Sequence, residues 1–145
     1  MMFKRFGMTV AAALAALASL TGPAAAQDGG PLTLVYACDA QSEPCKTWTT
    51  QWEPIFAGSP AAKKVTLRKI SAPTAKALLQ QDSWPADLRW LLDVFLMSEQ
   101  GVQNGYDTPR FFLLQNNQIS FTSVGNNGWR EFMWPMILDM TSTRP

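Results

Sequence analysis

Cys38-Asp39-Ala40-Gln41-Ser42-Glu43-Pro44-Cys45-Lys46-Thr47-Trp48 is the stretch on which the fold turns, and it holds both cysteines of the chain. Upstream of it, Leu32-Thr33-Leu34-Val35-Tyr36-Ala37 is β-branched and aromatic and nearly all apolar. That composition suits a strand buried on both faces. Downstream, Trp48, Trp52, Ile55 and Phe56 fall at i, i+4, i+7 and i+8, the spacing of one helix face. Between the two runs, Cys38–Pro44 reads as a polar loop. Ser42 reads as the N-cap of the helix. Glu43 and Pro44 follow in its first turn, where an acid meets the positive end of the helix dipole and proline loses no hydrogen bond. The stretch is therefore a strand-to-helix junction. The helix runs from Cys45 to Phe56, and Pro54 is expected to kink or end it.

Working outward, Lys63–Ile70 alternates and reads as a second strand, with Val65, Leu67 and, after a slip, Ile70 on one side and basic residues on the other. Thr74–Gln81 is a short helix. Pro85 opens a longer one, marked by the stripe Leu88, Leu91, Leu92, Phe95 and Leu96 and closed by Gly101, Asn104 and Gly105. Arg110–Leu114 is a strand. Asn116-Asn117 is a two-residue turn that tolerates positive φ, and Gln118–Val124 is the returning strand of an antiparallel hairpin. Gly125–Gly128 reads as a second turn. Trp129, Phe132, Met133, Met136, Ile137 and Met140 form the face of a last helix, with Pro135 a local irregularity. The order is β-α-β-α-(α)-β-β-α.

The N-terminal side is of another kind. Lys4 and Arg5 precede the apolar stretch Met8–Leu20, and Ala24-Ala25-Ala26 follows as a small-residue cleavage site. Thirteen apolar residues are too few to span a bilayer of about 30 Å as a helix. Residues 1–26 are expected to be a signal peptide cut before Gln27, leaving one domain at 27–145 in the periplasm. With 12 basic and 11 acidic residues in the chain, losing Lys4 and Arg5 gives a net charge of 10 − 11 = −1. That near-neutrality argues against nucleic acid or an anionic membrane as the main partner, and no later segment is long or apolar enough for stable membrane insertion after cleavage. The chain has no histidine. This removes Ser-His and Cys-His nucleophilic catalysis, and two cysteines alone cannot complete a structural zinc site, so no metal and no cofactor are expected. Two cysteines in an exported domain are more naturally a disulfide, because that compartment is oxidising.

The element order, the cysteine in the first turn of a helix after a strand, and Asp107-Thr108-Pro109 directly before a strand together resemble the thioredoxin-like superfamily. Cys45-Lys46-Thr47-Trp48 and Pro54-Ile55-Phe56 are most similar to the small periplasmic thioredoxin-like proteins of bacterial sulfur-oxidation clusters. The resemblance covers about Leu32–Met140. It implies an α/β thioredoxin-like fold, with a central mixed four-stranded sheet flanked by helices. It also implies a cis peptide before Pro109, a substrate-binding role for Thr108 and Pro109, and a periplasmic partner with a thiol or disulfide, or one docking in the Pro109 groove. The family pattern is C-x-x-C, and here Ser42 stands at the first cysteine, giving Ser42-Glu43-Pro44-Cys45. With no histidine to act as base, Ser42 reads as a helix cap and not a nucleophile. Tyr36 stands where the family often has a buried carboxylate.

Cys38 remains as the second sulfur, seven positions before Cys45. Three readings are open: a structural disulfide, a displaced redox pair with Cys38 and Cys45 as the catalytic residues, or two unpaired thiols. Pairing needs Cα atoms within about 7 Å. Two functions follow. One is an atypical thiol–disulfide oxidoreductase. The other is a catalytically silent binding module with a structural Cys38–Cys45 bond. Asp39, Glu43 and Arg110 read as solvated residues, Lys63, Lys64, Arg68 and Lys69 as a wet strand edge, and most of the six tryptophans as core.

Overall fold

The computed structural model describes residues 29–97 and 107–142. The expected signal peptide and the glycines expected to close the third helix lie outside the described residues. The elements are β1 (Leu32–Asp39), a helical run α1 (43–57), β2 (Val65–Ala72), α2 (Ala75–Leu78), α3 (Arg89–Met97), β3 (Arg110–Gln115), β4 (Gln118–Val124) and a last helical run α4 (125–141). The sheet order is β2-β1-β3-β4. β1 and β2 are parallel, and β1–β3 and β3–β4 are antiparallel. This is the expected thioredoxin-like arrangement, a mixed four-stranded sheet with helices on both faces.

Each face has its own core, set by strand alternation. Leu34, Tyr36 and Cys38 of β1, with Phe111 and Leu113 of β3, meet Cys45, Trp48, Phe56, Trp129, Met133 and Ile137 from α1 and α4. Val35, Ala37, Phe112 and Leu114 meet Leu78, Trp84, Leu88, Leu91 and Leu92 on the other side. The pattern of β2 is explained by the same division. Val65 packs on the α1 face and Ile70 on the α3 face, so the expected slip is in fact a strand with both faces covered.

Several boundaries differ from expectation. β1 runs through Cys38 and Asp39, which pair with Ser71 and Ala72 of β2, so the loop shrinks to 40–42. The helix starts at Glu43 and not at Cys45. Pro54 does not end it. A π turn at Trp48–Trp52 brings the Glu53 N–H to the Trp48 carbonyl, and the helix continues to Ala57. A proline ring crowds the carbonyl four residues back, and a widened turn relieves that contact. The same device precedes Pro135: the π turn Trp129–Met133 brings the Trp134 N–H to Trp129. The extra residue in each turn rotates the face within and beyond it. Ile55 and Phe132, expected inside, are 53% and 55% exposed, while Phe56 and Met133 are buried. Leu96 of the α3 stripe is also exposed, at 41%. Gly125–Gly128 is a helical turn opening α4 and not a loop, entered at Gly125 with φ 74°. The Asn116-Asn117 turn has positive φ at both residues, as expected.

Candidate functional site

The site is built where β1 ends and α1 begins. Cys38 and Cys45 are bonded to each other, with Cα atoms 6.2 Å apart. The bond ties the end of a central strand to the first turn of a helix. Ser42 is extended, with φ −74° and ψ 116°, and its Oγ accepts the Cys45 N–H at 3.3 Å. Ser42 therefore caps the helix, as expected. Both cysteines are buried, Cys38 at 5% and Cys45 at 4% exposure. They nevertheless help to form the wall of an open cleft of about 290 Å³, with Tyr36, Lys46, Thr49, Thr50, Lys69 and Ser71 around them.

Charge around the cleft is mostly paired. Lys46 Nζ donates to Glu43 at 2.6 Å, and Lys69 Nζ donates to both Glu53 oxygens at 3.0 and 2.9 Å. Lys69 Nζ also stands 5.5 Å from the centre of the Tyr36 ring. Tyr36 O–H donates to the Cys45 carbonyl at 3.3 Å. Burial pushes the Tyr36 phenol above its ordinary 10.0; a hydrogen bond with Thr49 pulls it down, and Glu53 and Asp39 push it up.

Thr108 and Pro109 lie across the end of β1 from this cleft and take no part in lining it. The Thr108–Pro109 peptide is cis. Pro109 is fully buried, and its carbonyl accepts the Gly125 N–H at 2.8 Å. Thr108 Oγ1 donates to Asp39 Oδ2 at 3.0 Å. Beside them, Asn126 Nδ2 donates to the Pro44 carbonyl at 2.9 Å, joining the first turns of α1 and α4.

Two residues read as solvated are buried. Asp39 is 7% exposed, because β1 extends through it, and its Oδ1 accepts the Gln41 N–H at 3.1 Å. Arg110 is 6% exposed, because β3 is central and covered on both faces. Burial pushes its guanidinium down to about 10, and Asp107 acts in the opposite sense. The basic group near β2 is tied down as well: Arg68 pairs with Asp87, and Lys64 Nζ donates to the Thr141 carbonyl at 2.8 Å. Trp48, Trp84 and Trp129 are core residues, as expected. Sequence reading placed Tyr36 only as the stand-in for a missing acid. Its position two residues before Cys38, hence on the same strand face, was the available sign that it adjoins the sulfurs.

No protein-family model and no curated protein sequence matches the chain. Among solved structures, a thioredoxin of Malassezia sympodialis is similar with a TM-score of 0.48 and 19% identity, over 80% of this chain and 82% of that one. Trxlp of Edwardsiella tarda gives 0.41 and 23% over 68% and 75% of the two chains. StoA of Bacillus subtilis gives 0.41 and 16% over 73% and 83%. Strand order, strand directions and helix placement define the fold independently of these likenesses.

Proposed function

We propose that this chain is an exported thiol–disulfide oxidoreductase of atypical design, in which Cys38 and Cys45 replace the adjacent pair of a C-x-x-C site. The observation that carries the reading is the position of the bond, in the wall of an open cleft and at the first turn of a helix. A thiolate of a partner protein attacks Cys38 Sγ. The Cys38–Cys45 bond breaks, and its electron pair passes to Cys45 Sγ, which leaves as a thiolate where the helix N-terminus favours negative charge. The partner's second thiolate attacks its own sulfur in the mixed disulfide, and Cys38 leaves as a thiolate. Two electrons have moved from the partner to this chain; the same steps reversed reduce a partner disulfide. The partner enters by the cleft between α1 and β2.

Export belongs to the same reading. It is supported by the residue pattern of 1–26 and by a disulfide, which an oxidising compartment keeps closed. No helix among the described residues is long and apolar enough to cross a membrane. The similarity of Cys45–Trp48 and Pro54–Phe56 to proteins of sulfur-oxidation clusters points to sulfur metabolism as the setting.

The test is reduction of a disulfide-bonded substrate by the purified protein with a thiol donor. Activity that disappears in Cys38→Ala and in Cys45→Ala supports the reading; activity untouched by Cys38→Ala sinks this pairing. The protein from periplasmic extracts should begin at Gln27. One observation favours a second reading, a silent module with a structural bond: the two cysteines are only 5% and 4% exposed. That reading expects the bond to resist reductant under native conditions. A mixed disulfide captured on a variant keeping one cysteine would overturn it.

A further inference from the structure

Tyr36 precedes Cys38 by two residues on β1, so both side chains leave the sheet on the α1 face. Its ring is held from several sides. It stacks on Trp48 at 4.4 Å between centroids, and Phe111 lies at 5.7 Å. Its hydroxyl is aimed at Cys45, whose carbonyl it meets at 3.3 Å. The residue is 2% exposed and still borders the cleft that holds both sulfurs. Burial keeps the phenol protonated across the neutral range, so it is a donor there and not a base.

Opening the disulfide puts a full charge on Cys45 Sγ, and a thiolate in a buried place needs a donor. The neighbours are largely engaged. The Cys45 N–H is given to Ser42, the Thr50 hydroxyl to the Lys46 and Thr47 carbonyls, and Lys46 and Lys69 to Glu43 and Glu53. Asp39 also borders the cleft, but it is an acceptor there, taking the Gln41 N–H and the Thr108 hydroxyl, so it supplies no donor. We propose that Tyr36 is the donor that holds the Cys45 thiolate, its hydroxyl passing from the Cys45 carbonyl to the Cys45 sulfur when the bond opens. The two acceptors belong to one residue, so the clamped ring need not move far. The phenol proton stays on Tyr36, and the electron pair on Cys45 is the one released from the sulfur–sulfur bond. This deepens the oxidoreductase reading and rests on the pair opening in use.

The test is a thiol titration and needs no partner. In Cys38→Ala protein, Cys45 is the sole thiol, and its ionisation is followed by thiolate absorbance and by alkylation rate against pH. Adding Tyr36→Phe should raise the midpoint by about one pH unit and slow alkylation near neutrality about tenfold. An unchanged midpoint overturns the proposal, and a merely structural tyrosine would leave it unchanged. Should Tyr36→Phe fold poorly, incorporation of 3-fluorotyrosine supplies a stronger donor in the same place. The midpoint should then fall, and no shift counts against Tyr36. If the native protein shows no disulfide exchange while the midpoint moves, the proposed activity fails and Tyr36 stands. If exchange is present and the midpoint is fixed, the reverse holds.

Discussion

At Asp39 the chain buries a carboxylate and gives each oxygen a donor, the Gln41 N–H on one and the Thr108 hydroxyl on the other. A buried oxygen stripped of its donor costs about 1–3 kcal/mol. Thr108→Val should therefore lower the urea unfolding free energy by about that amount, and an unchanged midpoint would show the carboxylate to be adequately solvated. Tyr36 makes a prediction in pH. Its folded pKa lies above its ordinary 10.0. The folded state then holds the proton more tightly, so the contribution is intact below about pH 10 and is lost as pH rises through the folded value. Arg110 acts the other way: its folded value of about 10 lies below 12.5, so stability from this group rises with pH in that window. Tyr36→Phe removes only the first effect. Between about pH 9 and 11 the native protein should lose more stability than Tyr36→Phe, as read from denaturant midpoints; equal losses would refute the burial assignment. Ser42 was readable as a cap because capping is local chemistry. Asp39 and Arg110 were not readable as buried, because their burial comes from strands and helices distant in sequence.

The helical runs show how a local irregularity redirects an element. Periodicity found α1 and α4, and proline chemistry found the trouble at Pro54 and Pro135. The resolution was not in the pattern. Each helix widens by one residue before its proline, and Ile55 and Phe132 turn outward as a result. A count at 3.6 residues per turn has no means of seeing that extra residue. Where α4 begins, Gly125 has φ 74° with nothing within 4 Å of a Cβ placed there. Gly125→Ala is therefore penalised by backbone conformation alone, about 1–2 kcal/mol. Gly125→Asn should cost less, because asparagine tolerates that region. Thermal melts of the two variants check the order, and Ala melting as high as Asn would show that the turn relaxes.

For the whole molecule, the disulfide closes an eight-residue loop between a central strand and the helix that covers it. Such closure contributes about 2–3 kcal/mol in the chain-entropy model. Opening it should lower the melting temperature by roughly 10 °C for a domain of this size. Calorimetry with and without reductant, or on Cys38→Ala with Cys45→Ala, measures this; coincident melts would mean that the bond restrains little. The two faces of the sheet share β1 and β3, so the α3 side, where Leu91 is fully buried, should melt together with the sulfur side.

The sequence by itself determined the element order, the strand-to-helix junction, the Ser42 cap, the hairpin turn at Asn116-Asn117 and the absence of any histidine chemistry. These rest on periodicity, capping and turn conformation, which act within a few residues. Only the tertiary structure decided that Cys38 reaches Cys45, since that depends on β1 extending two residues further along β2 and on where α1 lands. It also decided that Pro109 is buried while the sulfurs border a cleft on the other side. The reason is physical: a distance across a fold is set by how the sheet and its two helical layers pack, and spacing along the chain does not carry it.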